Sequence, residues 1–205
     1  ACAPYRRLHL CDYNLETIET TSTASGTLLL EVCMAAKYEG QSINTHYTEH
    51  EVTNRDTKSQ LCTVLARSFA DIGDIIRGKD PFYGNTYESA RREKLENKLK
   101  VIFAKIHKDV TSGKNGAEEL QKRYKDDKEN FFQLREDWWT ANRHTVWKAL
   151  TCDARDNADD KYFRKTACGE GTTSTQGKCR CPKGDQVPTY FDYVPQFLRW
   201  FEEWA

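Results

Sequence analysis

Apolar residues recur at helical spacing through most of this chain, and no segment alternates convincingly as a strand. The widest stripe lies between Asn130 and Cys152, a stretch with no internal Pro or Gly. Phe131, Leu134, Trp138, Ala141, Thr145 and Ala149 share one face, and Phe132, Trp139, Val146 and Leu150 fill the flank beside it. An arc that wide predicts a helix with neighbours on several sides, so this segment is expected at the centre of a bundle. Its three tryptophans, Trp138, Trp139 and Trp147, are assigned to the core; each ring buries about 150–250 Å².

Shorter patterns place the other elements. A helix is predicted over 27–38 with Leu28, Val32, Cys33 and Ala36 inward, stopped by Gly40; residues 41–58 are polar and without period. Ser59 is read as the cap of a helix whose buried stripe is Leu61, Leu65, Phe69, Ile72, Ile75 and Ile76, ending at Gly78. Arg67, Asp71 and Asp74 lie on its other face and are expected in solvent. KDPFYGN (79–85) reads as a turn, and a long helix follows over 87–110 with Leu95, Leu99, Ile102, Phe103, Ile106 and Val110 buried. TSGKNG (111–116) breaks it, and residues 117–128 resume. Residues 153–189 form a long Cys-containing loop. Pro195 opens a final helix, with Phe197, Leu198, Phe201 and Trp204 facing inward and Trp200 also in the core.

The composition is polar for a globular chain: 38% hydrophobic over 205 residues. A second source of stability is therefore expected, and eight cysteines supply it. An even number reads as disulfides in an oxidising, extracellular setting. Structural zinc is the rival reading, weakened because no Cys-x-x-Cys pair occurs. Lys+Arg and Asp+Glu are both 31, which argues against a dedicated nucleic-acid binder. No apolar run reaches membrane-spanning length, and Ala1 begins no signal-peptide pattern. A disulfide-rich chain of this kind is expected to be a fragment of a larger secreted or surface protein.

Catalytic signals are weak. HYTEH (46–50) matches the H-x-x-E-H order of inverted zinc peptidases, with His46 and His50 as ligands and Glu49 as base. Its surroundings carry no apolar face, and a third ligand is lacking. No nucleophile elbow, phosphate loop or dinucleotide fingerprint is present, so no enzyme, cofactor or metal is expected. Recognition at the surface remains. Lys161, Arg164 and Lys165 precede Cys168, while Lys178, Arg180 and Lys183 surround Cys179 and Cys181. A disulfide joining these runs would gather six cations into a patch suited to a sulfated or sialylated glycan, or to an acidic protein.

ACAPYRRLHLCD, FADIGDIIRGKD, LREDWWTANRHTVWKALTC, KCRC and VPTYFDYVPQFLRWFEEWA together resemble the Duffy-binding-like domains, alpha class, of the Plasmodium falciparum erythrocyte membrane protein family. The blocks run in the family's order from Ala1 to Ala205. The resemblance implies an all-α, disulfide-stapled helical bundle, incomplete at both ends. Residues 1–50 would be part of a first subdomain and 51–205 most of a second, with a third, two-helix subdomain to follow. It implies Cys62–Cys152 as a staple, Cys168 bonded to one of Cys179 and Cys181, and Cys33 to the other. In related domains the counterparts of Cys2 and Cys11 bond further upstream; here they are read as unpaired or paired with each other.

The function implied is host-cell adhesion by a variant surface antigen on the infected erythrocyte's outer face. Its partners would be erythrocyte or endothelial receptors, heparan sulfate or blood-group glycans, and host antibodies, with membrane attachment through other parts of the parent protein. Rosetting is a property of some members; the four cysteines between Asp71 and Trp204 resemble the majority less often linked to it. A passive antigenic scaffold beside a neighbouring binding domain is the alternative.

Overall fold

The structure is a computed structural model and describes residues 2–11, 15, 18, 23–53, 60–82, 84–112, 117–154, 168, 175, 177–182 and 186–204. Among these, seven α-helices and no strand occur: α1 Tyr5–Leu8, α2 Ala24–Thr53, α3 Leu61–Arg77, α4 Thr86–Ser112, α5 Ala117–Arg123, α6 Phe132–Leu150 and α7 Gln196–Trp204. Short 3-10 turns at Gly177–Cys179 and Phe191–Tyr193 hold the segment between α6 and α7.

The expected stripes of α3 and α4 are buried except for Ile75 and Val110, which are only partly covered, and Trp138, Trp139 and Trp147 lie in the core. The centre of the bundle is nevertheless α3. Fourteen of its seventeen residues are buried, including Asp71 and Asp74, which the sequence had assigned to solvent. α2, α6, α7 and the Phe191–Tyr193 turn enclose it. α6 buries a narrower arc than expected: Leu134, Arg135, Trp138, Trp139, Val146, Trp147 and Leu150 are covered, while Phe132 and Ala141 are exposed.

Gly40 does not end a helix. α2 continues through it to Thr53, taking up much of the polar stretch predicted to lack structure. A Cβ at Gly40 would stand 1.8 Å from the Leu150 carbonyl oxygen, so glycine here permits close approach of α2 to the end of α6. Thr45, Thr48 and Thr53 donate their hydroxyls to carbonyls one turn back, which accommodates these residues in the helix. α3 ends as predicted: Gly78 is left-handed at φ 70°, and the Lys79 N–H closes on the Asp74 carbonyl at 2.8 Å. Its N-cap position is Gln60; Ser59 lies outside the described residues. α4 opens with a reciprocal capping box. Asn85 Oδ1 accepts from the Glu88 N–H at 3.0 Å, and Glu88 Oε2 accepts from the Asn85 N–H at 3.1 Å.

Candidate functional site

The disulfides organise the Cys-containing segment differently from expectation. Cys62, in the first turn of α3, bonds Cys179, and Cys168 bonds Cys181. Cys152 and Cys33 lie outside these bridges. Cys152 falls one residue past the Thr151 cap of α6 and is exposed, whereas Cys179 is fully buried against Cys62. Trp147 fixes this arrangement by donating its indole N–H to the Cys179 carbonyl at 3.1 Å. Cys33 is half-buried on α2, where burial pushes its thiol up to about 11.

Two of the six candidate cations are committed to this scaffold. Arg180 donates to the Lys148 carbonyl at 2.8 Å and to Thr151 Oγ1 at 3.0 Å, capping the carbonyl end of α6. Lys178 reaches the Cys152 carbonyl at 3.4 Å. Lys161, Arg164, Lys165 and Lys183 lie outside the described residues. Whether the six cations converge therefore lies outside the described residues.

Charge is instead concentrated inside. Arg199 of α7 contacts Asp71 at 2.7 Å and Asp74 at 2.6 Å, and all three side chains are buried. Arg6 of α1 reaches the same Asp71 at 2.7 Å and Glu203 of α7 at 2.9 Å. Arg77 pairs with Asp74 at 2.8 Å and donates to the Asp192 carbonyl. The Asp192 carboxylate accepts from Arg143 and from the Trp139 indole. Burial raises Asp74 to about 6, opposed by Arg199 and Arg77 and aided by Asp71. Burial likewise raises Glu39, which accepts from Ser68 Oγ and the Cys11 N–H. Each carboxylate of this network has a fixed partner, so the cluster orients helices and offers no group to a reacting molecule.

This network reverses α7. Gln196, Arg199 and Trp200 are buried, while Phe197, Leu198, Phe201 and Trp204, expected inside, are exposed. Trp204 is 61% exposed and donates its indole N–H to the Cys2 carbonyl at 3.0 Å. The buried carboxylates of α3 require Arg199, and one helix cannot turn both faces toward α3. An apolar surface is left facing outward, with Tyr5 and Leu8 of α1 also exposed.

Between α1, α2 and α3 lies a groove of about 820 Å³, lined in part by Tyr5, Glu39, Ile43, Tyr47 and Val64. The HYTEH segment is helical here. His46 is 78% exposed and its ring lies 3.9 Å from Glu49; the side chain of His50 is outside the described residues. Among the described residues no three metal-ligating side chains converge, and no helix is long and apolar enough to cross a membrane.

The family model for the Duffy binding domain matches residues 1–199. The chain belongs to the Duffy binding domain family. Among solved structures this Duffy binding chain is similar to the DBLb domain of a PfEMP1 protein bound to human ICAM-1. The two share 29% identity with a TM-score of 0.58, over 97% of this chain and 38% of that one. The Duffy binding chain thus spans well under half of that neighbour. No curated protein matches it.

Proposed function

We propose that this chain is a host-cell adhesion domain of the alpha class and part of a variant surface antigen on the outer face of the infected erythrocyte. The observation that carries this reading is the family match over residues 1–199, joined to likeness with a domain bound to a human surface receptor. The arrangement suits binding without turnover. Carboxylates are locked to guanidinium groups in the interior, one disulfide, Cys62–Cys179, ties the long segment after α6 to the bundle, and a second, Cys168–Cys181, closes a loop within that segment. Residues 1–50 and 51–205 are read as parts of a first and a second subdomain, and the bare apolar face of α7 as the seat of a third.

For contacts we assign the basic segment: Lys161, Arg164, Lys165 and Lys183 to an anionic glycan such as heparan sulfate or to an acidic receptor surface, with Lys178 and Arg180 supporting it from the end of α6. Heparin retention of the domain tests this assignment. Replacing Lys161, Arg164, Lys165 and Lys183 together abolishes retention on this reading, and unchanged retention contradicts it. The passive-scaffold alternative draws on the commitment of Lys178 and Arg180 to α6. It predicts no binding to red cells, endothelial cells or heparin.

A further inference from the structure

Glu39, Ser42, Ile43, His46 and Tyr47 recur at one-turn spacing along α2 and form one wall of the groove between α1, α2 and α3. Tyr5 of α1 and His9, its cap, line the groove from another side, their ring centroids 4.5 Å apart. The Tyr47 hydroxyl accepts from the Gln60 N–H at 2.5 Å, which ties this wall to the start of α3. Ile43, Val64 and the two tyrosines supply apolar surface. The volume of about 820 Å³ is that of a pocket for a whole small molecule.

The charge at the floor restricts the ligand. Glu39 lines the groove and is only 3% exposed. Its Oε1 accepts from Ser68 Oγ at 2.8 Å and its Oε2 from the Cys11 N–H at 2.9 Å. Both donors are neutral, and each oxygen keeps a second lone pair. Asp71, Asp74 and Glu203 each touch a guanidinium; Glu39 touches none among the described residues. Burial raises it, and Arg6 opposes that rise from beyond Ser68. Arg6 also lines the groove, but it is committed to Asp71 at 2.7 Å, Glu203 at 2.9 Å and Ser68 Oγ at 3.1 Å. An anion would therefore meet a buried carboxylate and an engaged guanidinium. A cation would give Glu39 the charged partner it lacks, and the tyrosine rings favour the same sign of charge.

We infer that this groove is a binding site for a small organic cation, an ammonium group on an apolar body, with Glu39 as its counter-ion. The assignment is independent of the adhesion reading.

Isothermal titration calorimetry on the intact domain tests it, with tryptamine, phenethylamine and hexylamine as probes against tryptophol, 2-phenylethanol and 1-hexanol, which replace the ammonium by a hydroxyl. At least one amine is expected to bind, about tenfold or more tighter than its alcohol, the scale of one charge-assisted hydrogen bond. Glu39→Gln lowers that affinity about tenfold; its amide can still accept from Cys11 and donate to Ser68, and thermal melting checks the fold. Ser42→Trp, at an exposed position of the wall, blocks the groove without altering its charge and abolishes binding. Failure of all three amines to bind, alcohols that bind as tightly, or unchanged affinity in Glu39→Gln overturns the inference. Self-association of the domain that the amine disperses, read by analytical ultracentrifugation, would assign the groove to a second copy and also overturn it.

Discussion

The guanidinium of Arg199 sits 2.7 Å from the carboxylate of Asp71, joining α7 to α3 across 128 residues of sequence. Both side chains are almost completely shielded from water. The contact decides which face of α7 is hidden, and so which apolar residues the domain displays.

Removing Arg199 leaves Asp71 and Asp74 buried with less compensation. Breaking one partner of a buried ion pair costs about 3–5 kcal/mol, so Arg199→Ala is expected to lose that much in chemical denaturation. Phe201→Ser, on the exposed face of the same helix, changes stability by about 0.5 kcal/mol or less. Equal losses at the two positions would contradict the observed orientation of α7.

Asp74 gives stability a pH dependence of defined sign. Its folded value of about 6 lies above the ordinary value near 3.9 because burial penalises the charged form. The folded state therefore holds this proton more tightly than the unfolded chain. The resulting stabilisation is fully present below about pH 4 and is lost as pH rises through about 6. Wild type measured against Asp74→Asn by urea unfolding is expected to lose relative stability between pH 4 and 6. A difference that stays flat over this range would refute the assignment.

The covalent frame makes a third prediction. Cys62–Cys179 closes a separation of 117 residues, worth about 4–5 kcal/mol in the chain-entropy model. Cys62→Ala/Cys179→Ala is expected to lose stability on that scale. Non-reducing peptide maps should link Cys62 to Cys179 and Cys168 to Cys181. In the native state maleimide should modify the exposed Cys152 quickly and the half-buried Cys33 slowly, since the thiolate is the reactive form and burial holds Cys33 protonated.

Gly40 tests the packing of α2 on α6. Gly40→Ala puts a methyl group into the Leu150 carbonyl and is expected to cost about 1–3 kcal/mol, the scale of overpacking, despite alanine's better helix propensity. A gain in melting temperature would mean that the helices are further apart than described.

The legible part of this fold was the part that periodicity controls. Leu61 to Ile76 and Leu95 to Ile106 bury the stripes their spacing specifies, because leucine, isoleucine and phenylalanine at those intervals have few other places to go. Asn85-x-x-Glu88 also carries a readable capping signal. The orientation of α7 is not legible, for a different reason. Phe197, Leu198, Phe201 and Trp204 are as periodic as Gln196, Arg199 and Trp200, and periodicity reveals a face without saying which way it turns. That choice depends on Asp71 and Asp74, more than 120 residues earlier, whose burial no local pattern announces. Gly40 misled similarly: its meaning lies in Leu150, not in its neighbours along the chain. In the candidate site, Lys178 and Arg180 looked like free cations because their carbonyl partners at the end of α6 become visible only when the Cys62–Cys179 bridge brings them there.

Adhesion is the claim on which the functional account depends, and flow cytometry of the fluorescently labelled domain on human red cells and endothelial cells tests it most directly. Saturable binding to at least one cell type, lost when the disulfides are reduced, is the predicted result. Binding to neither cell type by a domain that melts cooperatively and carries both bridges would contradict it.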